Sequence, residues 1–301
     1  MEITLNNAYS FCQQGRRNYQ EDSRYPDANS ISGTQRFFVV CDGVGGCEKG
    51  EVASQTVCQA IGRAMAGTDF DSDFTNQQFH KVIDTAYNAL DKIANDDNRD
   101  MGTTMTFVCF HAGGCTMAHI GDSRIYQIRP AEGIIYRSDD HSLVNSMVHN
   151  GMLSPDEADT HPQRNVIIRY MEAVEADQNR CMATVMRTED VKAGDYFLLC
   201  TDGVLHGISD DELLDLLSDK GSDEEKMHTL AEKSKDSEDN NTAWLISVLS
   251  VTQTEESDSD DDVPESAATK RLTMKARQQE DIESVQAKSS QLKKWFNKIF
   301  N

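Results

Sequence analysis

Two apolar runs, each closing on an aspartate and a glycine, constrain this chain more than any other feature. One is Phe37-Phe38-Val39-Val40-Cys41-Asp42-Gly43; the other is Tyr196-Phe197-Leu198-Leu199-Cys200-Thr201-Asp202-Gly203. Short apolar runs bounded by turn residues read as buried strands. A buried strand fixes the Cα of the aspartate that follows it, while the side chain reaches the mouth of the sheet. The glycine lets the backbone turn sharply and approach an ion closely. One Asp-Gly at a strand end is ordinarily just a turn. Two behind wholly apolar strands are a weak but real hint of a site.

Further strands are predicted at Ala8–Gln13, Met105–His111, Cys115–Ile120, Arg124–Ile128, Ile134–Arg137 and Ala243–Val251. Phe107 to Arg129 reads as a β-meander, with hairpin turns at Gly113-Gly114 and Gly121-Asp122. Helical spacing appears over Glu51–Met65 and Thr75–Asn95, and shorter helices fit Leu143–His149, Asp210–Leu217 and Glu224–Ser234. Strands and helices do not alternate strictly, and the long helices come as a pair. That favours an α+β layered sandwich over a doubly wound parallel sheet.

Composition changes after Val251. Residues 253–270 are acidic, Ser-rich and poor in apolar side chains, as expected of a disordered linker. Residues 271–301 form a tail ending in the basic amphipathic stretch Leu292-Lys293-Lys294-Trp295-Phe296-Asn297-Lys298-Ile299-Phe300. Two readings of it stand: docking on a protein surface, or lying on an anionic membrane with its lysines toward the headgroups. Residues 1–252 are left as the folded domain.

With 51 acidic and 29 basic residues the net charge is −22, which disfavours nucleic acid as a partner. The eight cysteines form no C-x-x-C pair, and Cys12, Cys41, Cys109 and Cys200 sit in apolar runs. They are expected to be buried, reduced thiols. Met1 to Gln14 lacks a basic, then long apolar, leader pattern. No apolar run reaches the roughly 18 residues of a membrane span. A cytoplasmic monomer is expected.

Two more acidic segments adjoin predicted strands: Arg17-Asn18-Tyr19-Gln20-Glu21-Asp22, and Glu238-Asp239-Asn240-Asn241-Thr242. Carboxylates with a backbone carbonyl make an all-oxygen site suited to Mg²⁺ or Mn²⁺, and no His or Cys cluster competes. Taken alone, spacing leaves a metal site and a set of turns equally open.

The ordered set of segments resembles the PP2C family of metal-dependent serine/threonine phosphatases. The match runs through Arg17…Glu21-Asp22, Asp42-Gly43-x-Gly45-Gly46, Gly102-Thr103-Thr104 and Gly121-Asp122-Ser123-Arg124. It continues through Asp140-His141-Ser142, Arg164-Asn165, Thr201-Asp202-Gly203 and Asp239-Asn240-x-Thr242. It covers about Ala8 to Val251, and the ordered set is far more specific than any one segment.

The resemblance implies a four-layer α-β-β-α sandwich: two packed, mainly antiparallel sheets flanked by helix pairs. It implies two Mn²⁺ or Mg²⁺ ions, with Asp42, Asp202 and Asp239 on one. Asp42 would bridge to the second, which the Gly43 carbonyl and, through water, Glu21 and Asp22 also hold. Arg17 would grip the substrate phosphate, and Asp122 would hold a third, weaker ion. Arg17, Asp42, Asp202 and Asp239 are thus the expected catalytic residues. The implied reaction is hydrolysis of phosphoserine and phosphothreonine on proteins by a metal-activated water, without a covalent intermediate, opposite a cognate Ser/Thr kinase system.

Some members place a histidine in the Asp-Gly-His-Gly-Gly segment; here Val44 stands there and can donate no proton. Met171-Glu172 stands where the flap of many members ends near glycine, which puts substrate specificity in doubt more than catalysis. Thr103 and Thr104 are expected to satisfy backbone groups, and His141 to fix the loop into the flap. Two rival functions are a catalytically silent binding protein of this family and another two-metal phosphoesterase such as a nuclease. The intact Asp42, Asp202 and Asp239 oppose the first, and the acidic charge opposes the second.

Overall fold

The computed structural model describes residues 1–44, 49–94, 101–173 and 180–253. Strands β1 (Glu2–Leu5), β2 (Ala8–Gln13), β3 (Ser23–Tyr25), β4 (Ser30–Ile31) and β5 (Phe37–Cys41) precede helices α1 (Gly50–Met65) and α2 (Asn76–Ile93). Next come β6 (Gly102–Thr103), β7 (Met105–His111), β8 (Gly114–Ile120), β9 (Arg124–Arg129) and β10 (Gly133–Arg137). Helices α3 (Leu143–His149) and α4 (Pro155–Thr160) lead to β11 (Met171–Glu172), β12 (Thr184–Thr188) and β13 (Tyr196–Cys200). Helices α5 (Asp202–Leu205), α6 (Asp210–Ser218) and α7 (Asp223–Ser234) then give way to the long β14 (Asn241–Thr252).

Twelve of these strands form a seven-stranded sheet ordered β10-β9-β13-β14-β2-β4, with β1 also paired to β14, and a five-stranded sheet ordered β12-β8-β7-β5-β3, while β6 and β11 pair separately. Every pairing in both is antiparallel. The continuous apolar runs follow from burial on both faces. Phe37, Val39 and Cys41 of β5 pack outward on Val57 and Ile61 of α1 and Phe79 and Leu90 of α2. Phe38 and Val40 turn inward to meet Phe197, Leu199, Trp244 and Ile246 of the other sheet. Leu198, Cys200 and Leu245 face the third core, against Leu213, Leu217, Met227 and Leu230. Each such side chain contributes about 1.5–3 kcal/mol by leaving water. Three cores separate four layers, α-β-β-α, as the sequence led us to expect.

Local chemistry sets the helix starts. Thr75 with Gln78, Ser209 with Glu212 and Ser222 with Glu225 form reciprocal caps that satisfy otherwise orphaned backbone donors.

Two expectations are corrected. Gly113-Gly114 does close a hairpin between β7 and β8, but Gly121-Asp122 does not. β8 already has β7 and β12 on its two edges, so the chain crosses to the other sheet, where β9 pairs with β13 and β10. Gly121 makes the exit at φ +108°, a left-handed conformation that only glycine adopts freely. Cys12 is exposed rather than buried, because β4 covers only Ala8 and Tyr9 of β2 and leaves the strand's far end open. The seven described cysteines are free thiols. Gly45, Gly46, Cys47, Asn95, most of the linker and the tail lie outside the described residues. No described helix is long and apolar enough to cross a membrane.

Candidate active site

The strand register gathers the acidic segments at one end of the sandwich. Cys41 of β5 lies opposite Ser23, just after Asp22. Cys200 of β13 lies between Arg124 and Ala243, which places Asp202, the crossover at Asp122 and the loop before β14 together. Gln13 of β2 lies opposite Asn241, so the loop carrying Arg17 and Glu21 meets the loop carrying Asp239.

Hydrogen bonds to its backbone hold Asp42 in place. The Asp42 N–H donates to Thr104 Oγ1 at 3.0 Å, and its carbonyl accepts from Thr103 Oγ1 at 2.9 Å and Thr104 N–H at 2.8 Å. Thr103 and Thr104 therefore serve the backbone, as expected. A Cβ on Gly43 would collide with the Gly50 backbone, so only glycine permits this approach of β5 to α1. Gly203 has the same role against the Asn240 carbonyl, closing the gap between α5 and the Asp239 loop. Arg124 forks onto Asp140 with two bonds of 2.7 Å and steadies the crossover. His141 accepts from the Gly121 N–H at 3.1 Å, and its carbonyl accepts from Ile168 N–H at 2.8 Å, which joins the crossover to the flap.

Two residues quoted in the motifs without a role prove to be part of the scaffold. Thr201 Oγ1 donates to Asp22 Oδ2 at 3.0 Å. The Asn240 side chain accepts from Glu21 N–H at 2.8 Å and donates to the carbonyls of Gln14 and Tyr19, both at 2.9 Å. Beside Asp122 and Asp202 opens a cleft of about 840 Å³, continued by Asn145 and Val148 of α3 and by Leu205 and His206.

Electrostatically the cluster is unbalanced. Asp22 is 5% exposed, and burial pushes its pKa up to about 7. Burial, with the charge of Asp202 next, pushes Asp122 to about 8. Asp42 is held well above the carboxylate range by burial and by Asp22, Asp202, Asp122 and Asp239 in turn, and Asp202 is raised by burial and Asp239. Glu21 is raised by burial. Asp22, Asp122 and Asp202 each present a buried Oδ1 with no hydrogen-bond partner. Such oxygens call for protons or for cations. Oxygen donors alone suit a hard divalent ion. Among the described residues no three Asp, Glu, His or Cys side chains yet close around one point as an ion would require. Asp239 is engaged by Arg17, whose Nη2 lies 2.6 Å from Asp239 Oδ2.

The four-layer sandwich is the fold of solved bacterial serine/threonine phosphatases, and this chain sets a carboxylate cluster at the shared end of its sheets. Residues 14–249 match the protein phosphatase 2C family, and the chain belongs to it. It is similar to the serine/threonine protein phosphatase PstP of Mycobacterium tuberculosis, at 32% identity over 200 residues covering 64% of this chain and 36% of that protein. It thus spans little more than a third of that relative's length. The serine/threonine phosphatase Stp1 of Staphylococcus aureus superposes with a TM-score of 0.68 at 30% identity, covering 82% of this chain and 97% of that one. The catalytic domain of PstP in complex with two manganese ions superposes with a TM-score of 0.66 at 27% identity, covering 82% and 100%.

Proposed function

We propose that this chain is a metal-dependent protein serine/threonine phosphatase. The observation that carries the reading is the cluster of buried Asp22 with half-buried Asp42, Asp122 and Asp202, three of whose buried oxygens have no partner, at one end of a PP2C fold. The names of the relatives, and the manganese pair of PstP, support it.

In this reading Asp42, Asp202 and Asp239 hold one Mn²⁺ or Mg²⁺. Asp42 also reaches a second ion, with the Gly43 carbonyl and, through water, Glu21 and Asp22; Asp122 serves a third, weaker one. When bound, such ions lower the pKa of water and offset phosphoryl charge. The protein's own residues do the rest. Arg17, half exposed beside the cluster, offers a planar fork to the phosphate. The strand ends hold the carboxylates still, so little reorganisation is needed at the moment of reaction. The cleft running from Asp202 past Leu205 and Val148 receives the polypeptide around the phosphoresidue. Val44 has no proton to give, so the leaving oxygen is protonated by another group.

The same proposal takes residues 1–252 as the catalytic unit, 253–270 as linker and 271–301 as a docking tail, in a cytoplasmic monomer opposing a Ser/Thr kinase. The test is hydrolysis of a phosphothreonine peptide with Mn²⁺ or Mg²⁺. Full activity in excess EDTA would remove the metal-dependent reading. A folded protein that binds Mn²⁺ without turnover would favour the silent binding protein.

A further inference from the structure

Asp22, Asp122 and Asp202 each keep a free buried oxygen, but Asp239 keeps none. Its Oδ1 accepts from the Asn240 N–H at 2.8 Å and its Oδ2 from Arg17 Nη2 at 2.6 Å. The group proposed to grip phosphate is thus bound to a group proposed to hold a cation.

The loop that carries Arg17 does not depend on this ion pair. The Arg16 N–H donates to the Ser237 carbonyl at 2.9 Å, and Asn240 Nδ2 to the Gln14 carbonyl at 2.9 Å. A Cβ on Gly15, which stands at φ +58°, would strike the carbonyls of Ser237 and Asp239. Backbone therefore clamps the Arg17 loop to the Asp239 loop, and the guanidinium can leave while the loops stay. Its side chain is 46% exposed against 25% for Asp239. Ion pairs this open are weak and exchange readily.

We propose that Arg17 is a two-position switch. Without phosphate it neutralises Asp239 and competes with the cation for that carboxylate; phosphate draws it away and hands Asp239 to the cation. This rests on reading Asp239 as a cation ligand and Arg17 as the phosphate group. Phosphate and the cation at Asp239 then help each other, by the same factor in each direction.

The experiment is calorimetric titration of the full chain with MnCl₂ in phosphate-free buffer, for the wild type, Arg17→Ala and Arg16→Ala. Arg16→Ala removes the same charge one residue away, without the bond to Asp239. Arg17→Ala should tighten one of the two stronger Mn²⁺ classes, the one that Asp239 serves, threefold or more, clearly beyond any effect of Arg16→Ala. Inorganic phosphate should tighten Mn²⁺ in the wild type and do so less in Arg17→Ala. Equal effects of the two substitutions, or weaker Mn²⁺ binding in Arg17→Ala, overturns the switch even if the protein hydrolyses phosphothreonine peptide. The expected titrations without peptide hydrolysis would sink the enzymatic reading and leave the switch standing. No Mn²⁺ binding overturns both.

Discussion

The hydroxyl of Thr201 donates to Asp22 Oδ2 at 3.0 Å across 179 positions of chain, and accepts from the Thr242 N–H at 3.0 Å. One side chain so ties the start of β3, in the five-stranded sheet, to β13 and β14 in the other. Thr201→Val keeps the shape but strands a buried N–H and a carboxylate oxygen. The expected cost is about 1–3 kcal/mol, with Thr201→Ser close to wild type. Urea denaturation of the three proteins checks this; equal midpoints would show that the hydroxyl carries no weight.

Asp42→Asn keeps the volume and loses a charge. The substituted protein should lose at least one metal and roughly 10²-fold or more in kcat. The fold should survive, because a repelling carboxylate leaves a crowded cluster in the metal-free protein. Two tight Mn²⁺ ions with near wild-type turnover would remove Asp42 from the bridging role proposed for it.

Without cations, burial pushes Asp22 up to about 7 and Asp122 up to about 8. The fold then binds more protons than the unfolded chain, so stability present at low pH is lost as pH rises through 7 to 8. The melting temperature of EDTA-treated protein should fall from pH 6.5 to 8.5, and Mn²⁺ should flatten or reverse that slope. Buried His111, pushed down to about 4, works the other way but only below about pH 6.5. A melting temperature that rises with pH in EDTA would contradict the assignment.

At the far end of β9, Arg129 Nε and Nη2 bond the two oxygens of fully buried Asp195 at 2.7 and 2.9 Å. Asp195→Ala leaves a cation half-paired and should cost about 3–5 kcal/mol. Its KM and its Mn²⁺ affinity, measured below the new melting point, should stay near wild type. Loss of Mn²⁺ binding would show that this end communicates with the cluster.

A chain ending at Thr254 should fold and remain active, since the linker that follows, to residue 270, has too few apolar side chains to join a core. Ending at Val251 would cut into β14, whose Thr252 pairs with Glu2. Aggregation of the 1–254 protein would make the tail structural.

Much of this was legible because the two faces of β5 and β13 both need cover, which writes itself as unbroken apolar runs. Strand β2 and helix α3 carry the bounds read from the sequence. The edges were not legible: β12 is largely exposed and β3 has three residues, so neither makes a run. Helix α4 was missed although Ser154 and Glu157 spell its cap. The ordered motifs pointed to the acidic residues, but no local pattern announces that Arg17 rests on Asp239, 222 positions away. The crossover at Gly121-Asp122 carries the same local signal as a hairpin, because a turn signal does not say which sheet comes next.

Strand β14 lies inside its sheet, flanked by β13 on one side and by β1 and β2 on the other, yet it is the last described strand to be made. During synthesis the earlier part of the seven-stranded sheet must therefore wait, split into two pieces with facing open edges, until Asn241 and its followers emerge. The loop carrying Asp239 arrives with that closing strand. A ribosome that stalls before it would release a chain with exposed apolar strand edges and an incomplete carboxylate cluster, an aggregation-prone product.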